Sequence, residues 1–171
     1  MKKQLNDGKE VFESLTVLCN LLLKYKMNEC ALITFLENYS ENVFDINHVD
    51  NRMRTPLHNA AVKGDNGVLE GLLMGKADTN ILDKDNCTPL CLAIREDNFD
   101  GAYVLINTPG VDVNLGGGIF GSPMHLAVVK LEISIVRALI NKPGLGVDVN
   151  RTDCDGNTPL HLVMNVFSKN P

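Results

Sequence analysis

Histidine is the side chain of this sequence best suited to chemistry near neutral pH, as a metal ligand or a proton carrier. Three of the four histidines, His58, His125 and His161, each end a tetrapeptide that reads Thr or Ser, Pro, Leu or Met, His. Cys91 replaces the histidine in a further copy of the tetrapeptide. Since the histidines occur one per copy and one copy has none, we predict neither a shared metal site nor a common catalytic role.

The five cysteines do not form a metal-binding pattern either. Cys87 and Cys91 have the spacing of neighbours on one helix face, and Cys154 is predicted at a distant loop tip. Structural zinc needs four converging ligands, usually from two close pairs, and no second pair is present. Cys19 and Cys30 are therefore predicted to be packing residues, and we expect no metal and no cofactor.

Residues 115–121 contain the spacing G-x-G-x-x-G, which in some proteins binds dinucleotides. That function also requires a buried strand before the glycines, a crossover helix after them and an acidic residue about twenty positions on. Here we instead predict a flexible hairpin whose exposed Ile119 and Phe120 could contact a partner. Because no Ser/His/Asp or Cys/His arrangement lies in a motif context, the chain is predicted not to be an enzyme.

The tetrapeptides mark an internal repeat. They begin at Thr55, Thr88, Ser122 and Thr158, so successive copies are 33, 34 and 36 residues apart. An Asp-x-Asn marker lies ten residues before each of them. A period in the thirties is typical of stacked units, each too small to bury its apolar face alone.

The markers resemble the ankyrin repeat, whose period is similar and whose signature is T-P-L-H-x-A. The resemblance implies an all-α solenoid of stacked helix-turn-helix units joined by β-hairpin loops. It also implies that His58, His125 and His161 bond backbone groups locally and help to tie the repeats together. Thr before Pro is a favourable helix start, which predicts an inner helix after each tetrapeptide and an outer helix behind it.

The sequence predicts three regions: a disordered N-terminus at 1–8, a degenerate helical capping repeat at 9–44, and ankyrin repeats at 45–171. The repeats are predicted at 45–77, 78–111, 112–147 and 148–171, of which the last is incomplete. We expect the chain to be a fragment of a longer protein, because Val163, Val166 and Phe167 would otherwise leave an uncovered apolar edge.

Composition narrows the class of protein. A net charge of −5 and a pI near 5.3 do not favour general nucleic-acid binding, so we predict no nucleic-acid partner. No apolar run is long enough to span a bilayer, and we expect no membrane partner. Five cysteines without a secretion signal favour reduced thiols, so we expect the chain in the cytoplasm, or in the host cytosol if it is an effector. We also expect it to be a monomer.

The resemblance implies a non-catalytic module that binds another protein through its concave face, formed by hairpin tips and inner helices. The predicted partner-binding residues are Arg52, Arg54, Lys63, Lys84, Arg95, Ile119, Phe120 and Lys130. The excess of positive charge favours an acidic or phosphorylated segment as partner, although scattered cations can equally be a solvated face. Three alternatives stay open: the substrate-recognition domain of a larger enzyme, a host-directed effector of an intracellular bacterium or parasite, and a self-associating scaffold.

Overall fold

The computed structural model describes residues 45–144 and 146–168. The predicted N-terminal regions, 1–8 and 9–44, lie outside the described residues. A 3-10 helix, Gly118–Phe120, precedes the fifth α-helix. The α-helices of the described residues are, in chain order, α1 Pro56–Lys63, α2 Asn66–Met74, α3 Pro89–Arg95, α4 Phe99–Asn107, α5 Pro123–Val129, α6 Ile133–Asn141 and α7 Pro159–Ser168.

The inner helices begin where the tetrapeptide predicts. In α1 the Thr55 hydroxyl caps the helix by accepting the His58 N–H, and Pro56 occupies the first turn, where its missing N–H costs nothing. The helix ends at Gly64, whose φ of 69° is left-handed. Asp97, at the equivalent place after α3, also has a left-handed φ of 61°, which costs a non-glycine residue about 1–2 kcal/mol.

The helices form two layers. The inner helices α1, α3, α5 and α7 contact one another in that order, and the outer helices α2, α4 and α6 form a second row behind them. Fully burying one Leu or Ile side chain contributes about 1.5–3 kcal/mol, so the core between the layers is the main source of stability. Its largest fully buried side chains are Leu57, Leu69, Leu72, Leu90, Leu92, Ile94, Leu105, Ile106, Ile135 and Leu139.

The loops between repeats are turns, and residues 45–144 and 146–168 contain no β-strand. The predicted β-hairpins therefore do not form a ladder. In the first loop, one backbone bond joins Asp50 N–H to the Arg54 carbonyl, and the Asp50 carboxylate accepts the N–H groups of Arg52 and Arg54. Because the carboxylate takes these donors, the loop closes around a side chain instead of pairing two strands.

The Asp-x-Asn marker joins each repeat to the next. The Oδ1 atoms of Asn47, Asn80 and Asn114 accept the backbone N–H of the aspartate that begins the following repeat, at 2.8, 2.9 and 2.8 Å. Asn80 and Asn114 also donate Nδ2–H to the carbonyls of Gly110 and Gly146, both at 2.9 Å. The asparagine is thus a spacer that holds successive loops at a fixed separation.

The last described helix carries exposed apolar side chains. Val163 packs partly against the core, and the side chains of Val166 and Phe167 lie outside the described part. The exposed residues of α7 are Leu160 and Met164, at 68% and 64%. Their counterparts in earlier inner helices are buried under the next inner helix.

Candidate partner-binding groove

A groove open to solvent crosses three successive loops. It encloses about 810 Å³ and is lined by residues 82, 84–87 and 95 of the second repeat, 115–116 and 118–121 of the third, and 151–154 of the fourth. We call this surface the loop groove. It contains four of the eight predicted partner-binding residues, namely Lys84, Arg95, Ile119 and Phe120.

Two apolar side chains project at the centre of the loop groove. Ile119 is 70% exposed and Phe120 is 49% exposed, although both lie in a chain segment packed between its neighbours. The Cys154 thiol lies 3.1 Å from the Ile119 carbonyl and donates to it, which joins the tip to the fourth repeat. Apolar side chains that are exposed next to each other are a feature of binding surfaces, whereas single exposed ones are common.

The tip that the sequence predicts to be a flexible hairpin makes specific contacts with neighbouring backbone. Its 3-10 turn is closed by the Phe120 N–H on the Gly117 carbonyl at 3.0 Å, and the Gly118 N–H donates to Asn86 of the second repeat at 3.1 Å. A Cβ added at Gly117 would lie 1.8 Å from the Gly121 carbonyl oxygen. The glycines therefore allow close packing of the backbone.

The third loop differs from the others because it lacks their aspartate. Asp83 and Asp153 each accept two backbone N–H groups through one carboxylate oxygen, as Asp50 does in the first loop. Gly117 occupies the equivalent position in the third repeat. Without the carboxylate the chain forms the 3-10 helix instead, which is why only this loop presents the Ile119 and Phe120 tip.

Three cations line the loop groove. Arg95 donates to Glu96 at 3.1 Å and contacts the Cys87 sulfur at 3.6 Å. Lys84 and Arg151 have no ion pair with any carboxylate of the described residues. Unpaired cations in a groove leave positive potential for a ligand to neutralise.

Arg151 was missed by the sequence analysis. It follows the Asp-x-Asn marker of the fourth repeat directly, and the equivalent residues of the second and third repeats are Ile81 and Leu115. The repeat register therefore suggested a packing position. The signal that could have identified it is the change of residue type, from apolar to charged, at that one position.

The other predicted contacts lie elsewhere. Arg54 is only 9% exposed, and its Nε is 3.1 Å from Asp83 Oδ2, so its charge stabilises the joint between the first two repeats. The prediction that Arg54 is an exposed partner-binding residue is therefore wrong. Lys130 forms an ion pair with Asp97 at 2.6 Å. Arg52 and Lys63 are exposed but do not line the loop groove.

Two of the tetrapeptide histidines, His58 and His125, connect neighbouring repeats, as the resemblance implied for them. Nδ1 of His58 accepts the Thr55 N–H at 3.1 Å, while Nε2 lies 3.1 Å from the Cys87 carbonyl of the next repeat. A carbonyl can only accept, so the proton is on Nε2. His125 repeats the arrangement with the Asn157 carbonyl at 2.9 Å. Burial lowers the pKa of His58, which keeps its imidazole neutral near pH 7.

The cysteines of the second repeat are buried and protonated. Burial raises the pKa of Cys91 to about 12 and also raises the pKa of Cys87, so neither is a thiolate near neutral pH. The Cys91 sulfur, which replaces a histidine, makes a longer contact of 3.7 Å with the Leu115 carbonyl. Within the described ranges no group of three or more His, Cys, Asp or Glu residues is placed to hold a metal ion.

Comparison with known proteins identifies the family. A family model described as ankyrin repeats in three copies matches residues 12–117, more than half of the chain. The chain belongs to the ankyrin-repeat family. Ankyrin repeats generally mediate protein–protein interactions. The match begins at residue 12, within the segment predicted to be the capping repeat.

Several curated relatives are about one-third identical. A putative ankyrin repeat protein of fowlpox virus is 32% identical over 111 residues, which are 65% of this chain and 74% of the viral protein. The NF-kappa-B p105 subunit of Gallus gallus is 32% identical over 124 residues, and human inversin is 30% identical over 128. These two alignments cover 70% and 73% of this chain, but only 12% and 11% of those longer proteins. No helix among the described residues combines the length and apolarity needed to cross a bilayer.

Proposed function

We propose that this chain is a non-catalytic ankyrin-repeat module that binds another protein through the loop groove. The observation that carries the proposal is the Ile119 and Phe120 tip, exposed at 70% and 49% although its backbone is fixed by contacts on both sides. A rigid tip loses little conformational entropy when a partner covers it, so most of the burial energy is available for binding.

The energetic contributions are of two kinds. Full burial of an exposed phenylalanine contributes about 1.5–3 kcal/mol, and since Phe120 is 49% exposed a partner that covers it would gain roughly half of that, with a similar gain from the adjacent Ile119. Lys84 and Arg151, which lack carboxylate partners among the described residues, would add charge complementarity. Arg52 and Lys63 are exposed outside the groove, where they could increase the association rate without direct contact.

One alternative is that the chain is the substrate-recognition domain of a larger enzyme. Its alignments cover only 12% of p105 and 11% of inversin, which shows that similar repeats occur as small parts of longer proteins. A host-directed effector of an intracellular bacterium or parasite is a second candidate. Both alternatives use the same binding surface and differ in what is attached to it or where it acts. We propose a cytoplasmic location, where reducing conditions keep cysteines as thiols.

Partner capture with matched variants tests the proposal. The chain is used to capture proteins from lysate, and each captured protein is then purified and its affinity is measured. A variant with Phe120→Ala and Lys84→Glu is expected to bind at least about a hundredfold more weakly, from the loss of an anchor and the reversal of a charge. Tyr103→Ala is the control, because Tyr103 is 56% exposed on the outer helix α4.

Loss of affinity in the groove variant with normal binding by the Tyr103 variant would support the proposal. If the groove variant binds as the wild type does and the Tyr103 variant is impaired, the partner uses the outer helices and the proposal is wrong. Circular dichroism on each variant establishes that the fold is retained, which is expected because both side chains of the groove variant are solvent-exposed.

A further inference from the structure

The geometry points to a specific kind of ligand for the loop groove: an extended, unphosphorylated peptide segment that carries Asp or Glu side chains beside one large apolar side chain. This inference rests on the proposed function and narrows it to a class of sequence. It follows from the length of the groove, the distribution of its charges and the position of its apolar tip.

The dimensions of the groove fit an extended chain. It crosses the loops of three consecutive repeats, hence two inter-repeat steps. Packed helices are spaced by about 8–10 Å, so the groove is roughly 20 Å long. An extended chain rises about 3.3 Å per residue, which means that about six residues would cover it.

The charges of the groove favour a negative ligand. Three cations, Lys84, Arg95 and Arg151, line the groove together with Asp85 and Asp153. Arg95 is paired with Glu96, whereas Lys84 and Arg151 have no carboxylate partner among the described residues. Asp153 is also engaged by its own loop, since its Oδ1 accepts the N–H groups of Asp155 and Asn157 at 2.9 and 2.8 Å. Lys84 and Arg151 are therefore two unpaired cations that carboxylates of a ligand can neutralise.

Carboxylates suit this arrangement better than a phosphate. Phosphate recognition depends on several Arg or Lys groups converging on one dianion. Here the cations come one from each of three chain segments, and Arg95 is already bonded to Glu96. A dianion would also meet Asp85 and Asp153 in the same groove. Single charges spaced along a peptide can each approach one cation and avoid the aspartates.

The apolar tip sets the position of the anchor residue. Phe120 is half-exposed in the middle of the groove, and the partly buried Leu82 and Leu115 line its floor. A large aliphatic or aromatic side chain of the ligand would cover the Phe120 ring and these leucines together. We therefore expect acidic residues on one or both sides of a central apolar residue.

Selection from a random peptide library tests this inference. Phage-displayed random dodecapeptides are selected on the whole chain, and the enriched sequence is synthesised with a fluorescent label. Three derivatives are then compared by anisotropy: one with Asp and Glu changed to Asn and Gln, one with phosphoserine at those positions, and one with the apolar residue changed to Ala. We expect the amide and alanine derivatives to bind about tenfold more weakly or worse, and phosphoserine not to improve binding.

Matched protein variants locate the site of the peptide. The double variant Lys84→Ala with Arg151→Ala is expected to bind the parent peptide about tenfold more weakly. It should also remove most of the difference in affinity between the parent peptide and the amide derivative. Arg52→Ala with Lys63→Ala is the control, since these cations are exposed outside the groove, and a change of less than about twofold is expected.

Other outcomes would overturn the inference. These are enrichment of peptides without acidic residues, tighter binding of the phosphoserine derivative, failure to enrich any peptide, or equal effects of the two protein variants. The proposed function is judged separately: a captured partner that needs Phe120 and Lys84 but has no acidic segment removes this inference alone. If that partner ignores the groove entirely, both fail.

Discussion

Replacing Asp83 with alanine is expected to lower the free energy of unfolding by about 3–5 kcal/mol, because it breaks a buried ion pair and leaves its partner charge uncompensated. The Asp83 side chain is 1% exposed and the Arg54 side chain is 11% exposed. Asp83 Oδ2 lies 3.1 Å from Arg54 Nε. Its Oδ1 also accepts the N–H groups of Asp85 and Cys87, both at 2.9 Å. Urea unfolding followed by circular dichroism measures the loss.

Asp50→Ala is the matched control for this effect. Asp50 holds its own loop in the same way, with Oδ1 at 2.8 Å from the Arg52 nitrogen and 3.0 Å from that of Arg54. It is partly exposed, and in the described part of the chain it has no ion-pair partner. We expect a loss of about 1 kcal/mol. Equal losses for the two variants would mean that the ion pair between repeats contributes nothing to stability.

Replacing His58 with alanine is expected to lower the free energy of unfolding by about 2–4 kcal/mol. The change removes the bond to the Cys87 carbonyl, which still accepts the Asp83 N–H, and it leaves the buried Thr55 N–H without its acceptor, which costs about 1–3 kcal/mol. The imidazole is fully buried, so a cavity adds to the loss. The same unfolding measurement applies, and a lower denaturant midpoint is expected.

His161→Ala provides the control, since it removes the same residue from the same tetrapeptide. His161 is exposed, and its Nδ1 accepts the Thr158 N–H at 3.2 Å. Among residues up to 168, no following repeat receives a bond from its Nε2. Only the local cap is lost, and we expect a cost below about 1 kcal/mol. A cost equal to that of His58→Ala would show that the histidine acts within its own turn and does not join repeats.

The sequence was sufficient to predict the helices of the described residues, because their ends depend on local chemistry. Thr55 and Pro56 fix the start of α1, and Gly64 fixes its end. The loops were harder. Their regular markers resembled hairpins, but the Asp50 carboxylate takes the N–H groups that a second strand would have needed. Whether a loop N–H bonds to a side chain or to the backbone of a second strand depends on local geometry, and the repeat pattern does not specify that geometry.

The candidate site could be predicted only in part for a related reason. Exposure of Ile119 and Phe120 followed from their place between glycines, without knowledge of their neighbours. Arg54 required that knowledge, because it is buried by Asp83 of the next repeat, 29 residues along the chain. Arg151 was hidden by its alignment with apolar residues. Which charged side chains of a repeat are exposed can therefore be predicted reliably only when the contacts between repeats are known.

The central claim is that the loop groove is the binding surface, and amide chemical-shift mapping tests it most directly. The labelled chain is titrated with its captured partner or the selected peptide. We predict the largest shift changes at residues 84–87, 115–121 and 151–154, with small changes along α2, α4 and α6. The largest changes on those outer helices, with the groove unaffected, would contradict the account.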